Sequence, residues 1–125
     1  MKQLALALVA VSLPFGAHAA GCAKPRNAFD QVYCMSTQFV QTDRDLNAEY
    51  TRLRNALPPA QQDALRHGQL AWIRQRDTTC SDEKQSGYFV NLQCAADMTQ
   101  QRLTYLRQRE RECTSTGCAN ANFGE

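Results

Sequence analysis

At 125 residues the chain has room for one domain and not two. Fourteen basic residues, eleven of them Arg, stand against twelve acidic ones. So balanced a chain projects no strong long-range field, which argues against nucleic acid or an anionic membrane as its main partner.

The first element is an export signal. Lys2 supplies a positive start, Leu4 to Phe15 is an apolar run, and Ala17-His18-Ala19 is an A-x-A cleavage site. A membrane-spanning helix needs about 20 apolar residues, and Pro14 and Gly16 end this run short of that. Residues 1–19 are therefore read as a signal peptide cut after Ala19, with no transmembrane segment in the mature chain. A competing reading takes Ala19-Ala20-Gly21-Cys22 as a degenerate lipobox with a lipid anchor at Cys22, although the usual Leu three places earlier is missing. Removing Lys2 with the leader leaves thirteen cations against twelve carboxylates, a net of +1.

All six cysteines, Cys22, Cys34, Cys80, Cys94, Cys113 and Cys118, follow the leader. An even number in a small exported domain implies three disulfides. Six cysteines allow fifteen connectivities. The simplest joins neighbours in sequence: Cys22 with Cys34, Cys80 with Cys94, Cys113 with Cys118.

The mature region has few Val and Ile and no alternating run of strand length, and it is rich in Gln, Arg, Ala and Leu. A short helix is expected around Asn27 to Cys34, with Phe29, Val32 and Tyr33 on its apolar side. A second spans about Asp43 to Leu57, with Thr42 as N-cap and Leu46, Tyr50, Leu53 and Leu57 on one face. Pro58-Pro59 ends it and opens a third, from about Pro59 to Thr79. Cys80 to Gly87 reads as a polar loop. The fourth helix runs from about Tyr88 to Glu112, with a stripe of Phe89, Leu92, Ala96, Thr99, Leu103 and Leu106. From Cys113 the composition turns to Ser, Thr, Gly and Asn, the mark of a non-helical cap.

The expected fold is thus all-α: a small disulfide-stapled bundle of three to four helices, antiparallel where the connections are short. Its domain covers residues 20–113, followed by a non-helical C-terminal tail over 114–125. A domain of this size buries about two-thirds of its unfolded surface, and a cross-link closing a loop of about fifteen residues adds about 3 kcal/mol.

Catalytic chemistry finds little support. The mature chain has one histidine, His67, inside a helix and without a nucleophile elbow near it. No C-x-x-C spacing suggests zinc, so no metal or cofactor is expected. The carboxylates Asp43, Asp45, Glu49 and Asp77 sit where helix N-termini and i,i+4 pairs place them.

One constellation is more specific. Gln69, Trp72, Arg76 and Cys80 form a single helical stripe with Asp77 beside it. Arg76 is a charge on an inward position, which calls for an ion pair with Asp43 or Asp77. Together, Asp43-x-x-Leu46-Asn47-x-x-Tyr50, then Gln69-x-x-Trp72-x-x-x-Arg76-Asp77-x-x-Cys80, then Arg102-x-x-x-Leu106, with Tyr33-Cys34 upstream, resemble the LprI-like lysozyme-inhibitor domain. The resemblance covers about Cys22 to Arg109; the Cys113 and Cys118 tail departs from its pattern.

The resemblance implies a bacterial envelope protein, periplasmic or secreted, that is not an enzyme and binds and blocks a cell-wall hydrolase. Its motif residues look structural, and a lysozyme-type muramidase is the partner it suggests. The alternative is a non-inhibitory envelope interaction module, an immunity or stress-related partner protein. A segment closed by Cys80 and Cys94 and carrying Ser81, Lys84 and Ser86 is the candidate partner contact, because a cross-linked projection loses little freedom on binding.

Overall fold

A computed structural model describes Cys22, residues 24–118 and Phe123. The expected signal peptide, residues 1–19, and most of the expected C-terminal tail lie outside the described residues. The described residues form three α-helices and one β-hairpin.

Helix α1, Ala28–Ala56, is 29 residues long. Asn27 caps it, its side chain accepting the Asp30 N–H at 2.8 Å. The two helices expected at 27–34 and 43–57 are one, and Thr42 is an interior residue, not an N-cap. Residues 35–42 contain neither Pro nor Gly, and their polarity does not interrupt the helix because it is satisfied locally: Thr37 Oγ1 donates to the Tyr33 carbonyl at 2.9 Å. Pro58 then stops the helix.

Helix α2, Pro59–Cys80, starts with Pro in its first turn, where a missing N–H costs nothing. Gln62 Nε2 donates to the Leu57 carbonyl at 2.8 Å, tying the two helices together at the corner.

Ser81–Lys84 and Gly87–Val90 form antiparallel strands β1 and β2 in the register Ser81↔Val90, Asp82↔Phe89, Glu83↔Tyr88, Lys84↔Gly87. This overturns both the expected loop and the expected helix start at Tyr88. Tyr88, Phe89 and Val90 are strand-formers, and Gly87 takes a φ of +131°, which L side chains rarely adopt. The Cys80–Cys94 disulfide and the Asn91 N–H to Cys80 carbonyl bond (2.8 Å) close the base.

Helix α3, Leu92–Thr116, is capped by Asn91, whose side chain accepts the Cys94 N–H at 3.0 Å. It runs past Glu112, so residues 113–116, expected as non-helical cap, are helical. Gly117, with φ of +87°, ends it.

Consecutive helices are antiparallel, as expected of short connections, whereas α1 and α3 run parallel: Arg52 of α1 meets Glu110 of α3, while the N-terminal parts of both line one groove. The core is Leu46, Leu53, Leu57, Leu65, Leu103, Leu106 and Phe123, with Tyr50, Trp72 and Tyr105 packed against it. It lies toward the α1–α2 corner. At the other end α1, seven residues longer than α2, reaches about 10 Å further and stands beside the hairpin.

The cysteines pair as the sequence-local scheme has them: Cys22–Cys34, Cys80–Cys94 and Cys113–Cys118.

Candidate functional site

The motif residues meet as a stack of arginines and rings that crosses all three helices. Arg76 of α2 lies between Phe39 of α1 (5.4 Å) and Trp72 (5.1 Å). It also pairs with Asp43 at 3.3 Å and Asp77 at 2.9 Å, so both expected acidic partners are used. Arg102 of α3 sits over Tyr105 at 4.8 Å and lies 5.9 Å from the Trp72 ring centroid. Its Nε donates to Gln69 Oε1 at 3.0 Å in a buried bond. Burial lowers the Arg102 pKa from the ordinary arginine value, and Tyr105 opposes that shift. Each cation–π contact of this kind contributes about 0.5–2 kcal/mol, more as it is desolvated. Leu46 is buried in the core and Tyr50 half-buried beside it. The eight motif residues therefore hold the helices in register and leave little chemistry free for a ligand.

A second network was not anticipated. Glu49 is fully buried between α1 and α3. It pairs with Arg52 and, at 3.9 Å, with Arg107. A hydrogen bond with Glu49 is the main reason that the Glu110 pKa stands above its ordinary value; burial and the Glu49 charge add to the shift, while Arg52 and Arg111 oppose it. The sequence held a signal: Glu49 falls three residues after Leu46 and four before Leu53, on the apolar face.

His67 is exposed on α2 with Arg66 Nη2 3.2 Å from its ring nitrogen. Among the described residues no group of three or more His, Cys, Asp and Glu is arranged to hold a metal.

The candidate contact residues lie on the hairpin and are exposed. Strand alternation sends Ser81 and Lys84 to opposite faces. Ser81, at the base, donates its hydroxyl to the Asp77 carbonyl. Lys84 Nζ lies 3.1 Å from Asp82 and 5.5 Å from the Phe89 ring centroid, on one face of the hairpin. Ser86 is in the two-residue turn. Lys84 and Ser86 therefore share the tip, and Ser81 does not.

Fold and surface define a small helical domain, stapled by disulfides, with a rigid hairpin projecting from one end. The family model of the lysozyme inhibitor LprI matches residues 22–106, and the chain belongs to that family. No curated protein and no solved structure matches it. The family is one of inhibitors, which implies a protein partner, and together with three disulfides it points to an oxidising, extracytoplasmic setting. Among the described residues no helix is long and apolar enough to cross a membrane. Both Cys113–Cys118 and Phe123 lie beyond the matched region.

Proposed function

We propose that the protein binds a lysozyme-type muramidase and blocks its cleft, in the periplasm or outside the cell, after a signal peptide has been cut behind Ala19. The family match over residues 22–106 carries this reading. Such enzymes work with two carboxylates in a cleft, and an inhibitor must fill that cleft and offer donors to those acids. The hairpin suits such a cleft. It is narrow, convex, and closed at its base by Cys80–Cys94, so little freedom is lost on insertion. Lys84 and Ser86 supply the donors at the tip. Cleavage behind Ala19 is favoured over a lipid anchor by the Cys22–Cys34 bond, since a sulfur in a disulfide has no valence left for a thioether.

A cell-wall clearing assay tests the proposal. Mature protein in molar excess should slow lysis by at least one lysozyme type, and Lys84→Ala with Ser86→Ala should weaken the effect. If lysis proceeds unslowed across a panel of lysozymes, the inhibitor reading is lost and a non-inhibitory envelope module takes its place. Mass spectrometry of the mature N-terminus separates cleavage behind Ala19 from acylation of Cys22.

A further inference from the structure

Among the described residues, all the large apolar side chains left exposed, except Leu70, belong to the first half of α1 or to β2. Phe29, Tyr33 and Tyr88 are exposed by 78%, 68% and 81%. These residues gather at the end of the molecule away from the leucine core. Val32 and Met35 of α1 line one groove with Val90 of β2 and Leu92 of α3, so the helical and strand patches adjoin. By the register, Tyr88 and Val90 share a hairpin face with Glu83, opposite the face of Asp82, Lys84 and Phe89. The groove therefore runs from α1 onto the Tyr88 face. Aromatic side chains on a rigid frame are what protein hot spots are made of.

Charge says what covers this end. From residue 77 to 101 the chain carries Asp77, Asp82, Glu83 and Asp97 against Lys84 alone, and the start of α1 beside them adds Lys24 and Arg26 against Asp30, which leaves this end at a net −2. From 102 to 112 it carries Arg102, Arg107, Arg109 and Arg111 against Glu110 and Glu112. The small net charge thus hides a separation, mildly acidic at the hairpin end and basic toward the far end of α3. A basic protein is steered to the hairpin end. An anionic bilayer is repelled from it, and a two-fold dimer through it sets like charges against each other. Many lysozymes are basic.

We infer that the partner enzyme docks on a composite surface made of the Tyr88 and Val90 face of the hairpin and the α1 residues Phe29 and Val32, with Glu83 steering its approach. This rests on the inhibitor reading and adds a flanking face to the tip contact at Lys84 and Ser86.

Affinity of the mature protein for a basic lysozyme, measured by calorimetry or surface plasmon resonance, tests it. Tyr88→Ser and the pair Phe29→Ser, Val32→Ser should each weaken binding by roughly tenfold or more. Leu70→Ser should leave affinity unchanged, and Glu83→Lys should slow association most at low salt. Unaltered circular dichroism and melting curves keep folding defects apart from contact defects. If the wild type binds and these variants stay within about twofold of it, the surface lies elsewhere while the inhibitor reading stands. A wild type that binds no lysozyme overturns both. Flotation with anionic vesicles, or a concentration-dependent dimer abolished by the same substitutions, assigns the surface to a bilayer or a second copy and overturns the docking proposal.

Discussion

Arg102 and Gln69 are 33 residues apart in the chain and joined by a 3.0 Å hydrogen bond inside the fold. Both are buried, Arg102 to 5% and Gln69 to 7% exposure. The bond locks α3 to α2 at the level where Trp72 and Tyr105 enclose the guanidinium, so a polar pair fixes how two apolar faces mate.

Gln69→Leu removes the acceptor and leaves the Arg102 Nε buried without that bond. The expected loss is about 2 kcal/mol, since hydrogen bonds to charged groups are the stronger kind. Gln69→Glu, which keeps an acceptor for a cation, should lose less. Urea denaturation with an unchanged m value checks both. Equal losses for Leu and Glu would mean that packing, not the hydrogen bond, sets the stability of this contact.

The staples should differ in strength. Cys80 and Cys94 are separated by 14 residues, Cys113 and Cys118 by 5. Chain entropy assigns about 3 kcal/mol to the longer loop and about 2 kcal/mol to the shorter. Paired Cys→Ala substitutions at each bridge, compared by thermal melts, should therefore place the Cys80–Cys94 variant lower. Replacing that bridge should also weaken the partner by faster dissociation, because the hairpin base is no longer clamped.

Much of this organisation was legible in the chain, and the misreadings have physical causes. Leu46, Tyr50, Leu53 and Leu57 announce a core face because helical spacing repeats for three turns; Arg76 announces an ion pair because a cation stands on an inward stripe. Residues 35–42 misled because Ser36, Thr37, Gln38 and Thr42 look like a break, whereas a threonine bonding back to the preceding turn leaves the helix intact. The hairpin was hidden because its strands are four residues long. Phe89 also falls three residues before Leu92, which mimics the start of the α3 stripe. Glu49 was legible in hindsight as a charge at an apolar position. Phe123 was not, since one aromatic in a polar tail has no period.

The Glu49–Glu110 pair makes stability depend on pH with an unusual sign. Glu110 holds its proton more tightly in the folded protein than in the unfolded chain, chiefly through the hydrogen bond with Glu49. The folded state then binds more protons across the window that opens at the ordinary Glu value and closes at the raised one. Its contribution is fully present below that window and is lost as pH rises through it. Melting temperature should accordingly gain from this site as pH falls from neutral through that window toward the ordinary glutamate value, and Glu110→Gln should flatten the trend. A variant with the same pH profile as the wild type would remove Glu110 as its source.

Phe123 lies outside the region shared with the family, yet it is 1% exposed and part of the leucine core. Gly117 ends α3 with a left-handed turn, and the Cys113–Cys118 bridge holds the chain at that exit, with both cysteines packed against the core. The bridge and the ring therefore belong to one closure over the leucine core. Phe123→Ala should cost about 3 kcal/mol, the low end for a buried phenylalanine because a terminal segment relaxes more easily than a helix. If the bridge acts by presenting the ring, removing both should cost less than the two losses added, by about 1 kcal/mol in a double-mutant cycle run by urea denaturation. Strict additivity would show that the bridge acts through the unfolded chain alone and that Phe123 finds the core without it.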